Sequence, residues 1–233
     1  MDQLRNEHLS AVAALDEPTR RRLYYLVAHH REPVSRDEAA AALGLPRQTA
    51  AFHLDRLAKE GLLDVVYERR TGRSGPGAGR PAKLYRRSRN QISVSLPERH
   101  YDLAGRLLVQ AMEEAERSGE SPRVVLSRRA HQFGEQLGAA ARSADDHGVG
   151  AVLAALAEHG FEPRRDGDAV LLLNCPFHAL VQEHPEMVCG MNLRLLDGLL
   201  DGIGQTGLCA RLAPADGYCC VRLEEKKQGP PRS

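Results

Sequence analysis

No apolar run in this chain approaches the roughly 18 residues that a membrane-crossing helix needs. The opening MDQLRNEHLS has neither the basic start nor the apolar stretch of a secretion signal, so the expected location is cytoplasmic and no membrane partner is expected. Cysteine is missing from the first 174 residues; Cys175, Cys189, Cys209, Cys219 and Cys220 all fall in the last quarter. In a chain expected in a reducing compartment, structural disulfides are disfavoured, and such clustering gives weight to metal, cluster or redox chemistry. Paired Cys-x-x-Cys knuckles are missing too, which disfavours a zinc-nucleated fold. There is no Gly-rich phosphate loop, no evident nucleophile–base pairing and no paired-carboxylate motif, so an enzyme is not expected.

What the chain does have is an uneven charge. Its 233 residues are 42% hydrophobic and 27% charged, a globular composition with room for two small domains. The net charge is +1. Residues 1–90 nevertheless hold 17 Lys and Arg against 11 Asp and Glu, whereas the remainder holds 15 against 20. A basic front half implies an anionic partner there.

The front half also carries a run of helix signals. Asp16-Glu17-Pro18 introduces RRRLYYLVAHH, with Asp16 as the expected cap and Leu23, Leu26 and Val27 as the buried stripe. Ser35-Arg36-Asp37-Glu38 has capping-box spacing, and the helix it opens stops at Gly44. Pro46 marks the next start: Ala50, Leu54 and Leu57 form an apolar stripe, opposite a cationic face with Arg47, Gln48, Thr49, Arg56 and Lys59. Gly61 ends it. Two short helices around a tight turn describe a helix-turn-helix. Two short strands follow, Leu62 to Glu68 and Lys83 to Arg86, around the basic, glycine-rich RRTGRSGPGAGRPA. This reads as a wing that places Arg69, Arg70, Arg73 and Arg80 on phosphates or in a minor groove.

DEPTRRRLYYLV, AAALGLPRQTAAFHLDRLAKEGLL and GRPAKLYR resemble the DNA-binding domain of the ArsR family of bacterial regulators, over about a third of the chain. The resemblance implies a winged helix-turn-helix reading a double-stranded operator. It departs after Thr49, where Ala51 and Phe52 stand in place of the usual small or basic groups. Base reading is therefore assigned to Arg47 and Gln48, whose side chains pair with guanine and adenine. His53 is expected to pack or to touch phosphate.

Behind the wing, QISVSLP reads as an extended connector and a domain boundary. Two helical patterns follow, Tyr101 to Ala115 and Leu126 to Ala140, whose apolar faces either pair across a dimer axis or cover the C-terminal core. Residues 149–160 form a further helix, 161–174 a hairpin that delivers Cys175, Glu186 to Ile203 a long helix carrying Cys189, and 207–224 a last hairpin. Adjacent strand residues face opposite ways, so only one of Cys219 and Cys220 is expected at any shared site. Cys209 is the expected spare thiol, and His178 is placed to add a nitrogen ligand.

NCPFHALVQEHPEMVCGMN and GYCCV resemble the sensory domain of SufR-type iron–sulfur regulators. The resemblance implies a [4Fe–4S] or [2Fe–2S] cluster held by Cys175, Cys189 and one of Cys219 or Cys220. The expected fold is thus α+β: a winged helix-turn-helix domain over 1–90, a helical dimerisation linker over 91–145, an α+β sensory domain over 146–225 and a disordered tail over 226–233. The expected function is a homodimeric transcriptional regulator whose cysteines sense iron–sulfur, redox or metal status. Two alternatives stand: a regulator answering an apolar small molecule, with structural cysteines, or a thiol- or metal-dependent enzyme fused to a DNA-binding domain.

Overall fold

Glu17, Ser35 and Pro46 set the starts of three successive helices. The structure, a computed structural model, describes residues 2–69, 81–142 and 148–226, with side chains from Arg5 onward. It divides into two units, Met1–Val94 and Ser95–Ser233.

The first unit runs α1 (Asp2–Ala14), α2 (Pro18–His29), β1 (Val34–Ser35), α3 (Arg36–Leu43), α4 (Arg47–Lys59), β2 (Leu63–Glu68) and β3 (Ala82–Arg87). Glu17, rather than Asp16, caps α2; its carboxylate accepts the amides of Thr19 at 2.9 Å and Arg20 at 2.6 Å. The reason is Pro18, which disfavours helical geometry in the residue before it and so makes Glu17 the extended cap. The capping box at Ser35 and Glu38 is present in both directions. Gly44 (φ 65°) ends α3, and Gly61 (φ 73°) reverses the chain after α4, so that Leu62 N–H reaches the Leu57 carbonyl. The three strands pair antiparallel in the order β1-β3-β2. Leu23, Val27, Ala39, Ala50, Leu54, Leu57, Leu63 and Tyr85 fill the core between sheet and helices.

The second unit runs α5 (Tyr101–Ser118), α6 (Pro122–Ala141), α7 (Val149–Glu158), β4 (Pro163–Asp166), β5 (Ala169–Leu172), α8 (His178–Glu183), α9 (Pro185–Ile203), β6 (Leu208–Leu212) and β7 (Val221–Glu225). Its four strands form an antiparallel sheet in the order β4-β5-β7-β6. The expected linker over 91–145 is not a separate layer. Ala104, Leu107 and Ala111 of α5 and Val125, Leu126 and Ala130 of α6 share one core with Leu195, Leu196 and Leu199 of α9.

The α6–α9 contact is unusually close. A Cβ on Gly134 or Gly138 would overlap the carbonyl oxygens of Leu195 or Leu199, and one on Gly198 or Gly202 those of His131 or Glu135. Two glycines spaced four apart on each helix let the backbones touch. This brings α9, which carries Cys189, into a fixed place against the rest of the unit. Of the expected tail, only Lys226 falls among the described residues.

Candidate functional site

Helices α3 and α4 are joined by Gly44, Leu45 and Pro46, and the buried stripe Ala50-Leu54-Leu57 of α4 faces the core. Its opposite face presents Arg47, Gln48, Phe52, Asp55, Arg56 and Lys59 to solvent, with Thr49 half-buried at its edge. Arg47 is paired with Asp37 of α3, with Nη2 donating at 3.2 Å. Arg56 pairs with Glu60 at 2.8 Å. His53 does not share this outward face. Its side chain is 13% exposed and its Nδ1 lies 3.6 Å from Glu17, so α4 uses it as packing against α2.

The hairpin is tied to the same helix by Asp55, which accepts from Lys83 Nζ and from Tyr85 Oη at 2.6 Å. Burial works to raise the Asp55 carboxyl, but these two donors outweigh it and hold it below the usual range; burial and the same carboxylate push the Tyr85 phenol up. The sequence reading missed this anchor because its partners are 28 and 30 residues apart. Arg69 is exposed at the end of β2. Arg70, Arg73 and Arg80 lie outside the described residues.

The geometry of a capped helix, a tight turn and an exposed polar second helix has a counterpart among known domains. A helix-turn-helix domain family matches residues 15–66. The match covers α2 through most of β2 and supports a DNA-binding transcriptional regulator. No curated protein and no solved structure matches the chain. Among the described residues, no helix is long and apolar enough to cross a membrane.

In the second unit, four cysteines from three separate stretches meet. Cys175 follows β5, Cys189 sits in the first turns of α9, and Cys219 and Cys220 immediately precede β7. The expectation that strand parity separates the last two fails because β7 begins only at Val221, after both. Cys175 interacts with Cys219, Cys219 with Cys220, and Cys220 with Cys189. Cys175, Cys189 and Cys219 are buried and Cys220 half-buried.

Polar groups converge on the same sulfurs. Asn192, fully buried one turn after Cys189, donates from Nδ2 to Cys219 Sγ at 3.3 Å. Its Oδ1 has no hydrogen-bond partner among the described residues. The amides of Phe177 and Val221 also bond to Cys175 and Cys219. Asn174 fixes the loop before Cys175: its Nδ2 bonds the carbonyls of Gly160 at 2.6 Å and Glu98 at 3.0 Å, and its Oδ1 accepts from Arg99. Sequence reading did not single out Asn192, although its spacing of three from Cys189 places both on one helix face.

Cys175, Cys189 and Cys219 hold their protons. The contact with Cys219 and burial push Cys175 well up, despite the Phe177 amide and Arg99. At Cys219 the Cys175 contact lowers the value, but Cys220 and burial prevail and bring it to about 12. Burial raises Cys189 as well. A protonated thiol is a weak nucleophile, and a cation bound here must displace protons.

Other expected ligands lie elsewhere. His178 is exposed, and only its amide serves the site's loop, bonding the Cys175 carbonyl at 3.1 Å. Cys209 sits on β6 opposite Glu224, on the face away from Leu208 and Ala210. Among the described residues, no group of three or more His, Cys, Asp or Glu side chains is placed to hold a metal ion. A separate cavity of about 190 Å³ lies among Leu103, Phe133, Leu137, Phe161, Phe177 and Leu195, with His100 and His159 on its wall.

Proposed function

We propose that this chain is a homodimeric winged helix-turn-helix regulator of the ArsR-like kind, whose second unit senses iron–sulfur status through Cys175, Cys189, Cys219 and Cys220. The observation that carries the reading is the meeting of four thiols, from stretches far apart in the chain, beneath a buried asparagine. Iron–sulfur clusters are held by cysteine thiolates, and these four cysteines would be the residues to hold one. The donor set is all sulfur, which selects thiophilic metals. Amide donors to sulfur tune such a group, and Phe177, Val221 and Asn192 supply donors to Cys175 and Cys219. When bound, the cluster supplies redox- and iron-dependent occupancy. The chain's own residues orient the sulfurs, exclude water and give up thiol protons.

The protein is proposed to have no catalytic activity, since its buried thiols are raised rather than activated. Two symmetric half-sites on DNA require two copies of α4, which is the basis for the dimer. Anaerobic purification with an absorption spectrum and iron and sulfide assays tests the reading. The expected result is a coloured protein that loses its iron in Cys175→Ser and Cys189→Ser. A colourless, metal-free chain whose DNA binding ignores both substitutions would overturn it.

A second reading is favoured by the cavity: at about 190 Å³ it exceeds the roughly 150 Å³ that admits benzene in an engineered core. On that reading an apolar ligand replaces the cluster as the signal, and DNA binding would survive both cysteine substitutions.

A further inference from the structure

Phe52 is the residue of α4 that the charge and capping pattern leaves unexplained. It is 65% exposed, in the middle of the outward face, one turn after Gln48 and one turn before Arg56. Burial of the ring within this unit is prevented by the Ala50-Leu54-Leu57 stripe, which already occupies the core side. The ring is held edge-on to His53, with centroids 5.2 Å apart, and His53 is itself wedged against Glu17. The hollow beside it is bordered by Ser10, Ala13, Ala14, Arg20, whose Nε bonds the Ala14 carbonyl, and Arg56, which is paired with Glu60, so basic side chains lie beside an apolar ring. That combination fits a nucleic-acid groove, where phosphates lie beside an apolar feature.

We propose that Phe52 is a base-reading residue that packs on the C5-methyl of a thymine in the major groove, next to the base read by Gln48. The thymine methyl is the apolar group that the major groove displays. Gln48 and Phe52 are four residues apart, about 6 Å along the helix, and base pairs are stacked about 3.4 Å apart. The thymine therefore lies within two base pairs of an adenine bonded by Gln48. This inference rests on the DNA-binding reading of the first unit and adds to it the chemistry of one operator position.

The test uses the full chain. Wild type and Phe52→Ala are each put through selection from a random duplex library, and each is then titrated with the selected operator carrying either thymine or uracil at that position. The exchange removes the methyl group alone. Wild type is expected to bind the uracil duplex roughly fourfold more weakly, the worth of one buried methyl, and Phe52→Ala to bind both duplexes equally. Phe52→Leu, which keeps an apolar contact, is expected to retain the preference. Equal thymine-to-uracil discrimination by wild type and Phe52→Ala overturns the proposal, and so does a change of oligomeric state as the sole effect of Phe52→Ala. If wild type enriches no sequence, the DNA-reading proposal falls first and this one with it. Enrichment without a methyl effect leaves that reading standing and removes only the role of Phe52.

Discussion

Two carboxylates decide what the front helices can do. Glu17 caps α2, and although burial works to raise it, the amides of Thr19 and Arg20 hold it at about 2, against an ordinary 4.5. A carboxyl lowered on folding stabilises above its unfolded value and ceases to do so as pH falls through the folded one. Thermal denaturation of wild type and Glu17→Ala should therefore differ by about 1 kcal/mol near neutral pH, the usual worth of a cap. The difference should fade as pH drops from 4.5 towards 2. A gap that persists undiminished at pH 2 would show that the carboxylate is not the cap. Asp37 acts differently, by holding Arg47. Base contact by Arg47 requires exchange of that partner, so Arg47→Ala should relax sequence preference at one operator position. Asp37→Ala should raise affinity for all duplexes by freeing a cation. Binding titrations against matched and scrambled operators would separate the two effects.

At the scale of elements, the glycine contact between α6 and α9 sets the second unit. Gly134→Ala or Gly198→Ala should destabilise it by about 1–3 kcal/mol or more through overpacking, because the added methyl meets backbone carbonyls that cannot rotate away. Gly105→Ala, on α5 with open space around it, is the control and should be neutral or slightly stabilising. Chemical denaturation of the three variants would decide it. The local signals in the sequence were sufficient where physics is local. The Ser35 capping box, the stops at Gly44 and Gly61 and the Ala50-Leu54-Leu57 stripe depend on residues within one or two turns, and the helices they predict are present. The tie of Asp55 to Tyr85 depends on a hairpin register. The place of α5 and α6 depends on which faces the rest of the unit offers, so an amphipathic pattern alone left a dimer face and a core face equally open. The cysteines show the same limit from another side. Strand parity misjudged Cys219 and Cys220 because the first residue of β7 is set by its pairing of Val221 with Leu212, not by local propensity.

For the whole molecule, a basic front unit with a helix-turn-helix domain supports a DNA-binding regulator, and the four converging thiols of the acidic rear unit underlie the proposal that it answers a chemical signal. Thiol titration with a disulfide reagent should be slow at neutral pH in metal-free protein, since Cys175, Cys189 and Cys219 are all held protonated, and should accelerate as pH rises. Rapid reaction of these three at pH 7 would contradict their burial. The most direct test of the account is DNA affinity measured on one anaerobic preparation of the full chain, before and after its iron is removed by a chelator. The account predicts iron and sulfide in the starting protein, a change in affinity of tenfold or more on removal, and no such change in Cys175→Ser or Cys189→Ser. Iron-free protein from the outset, or an affinity that stays the same when the iron is taken away, would contradict it.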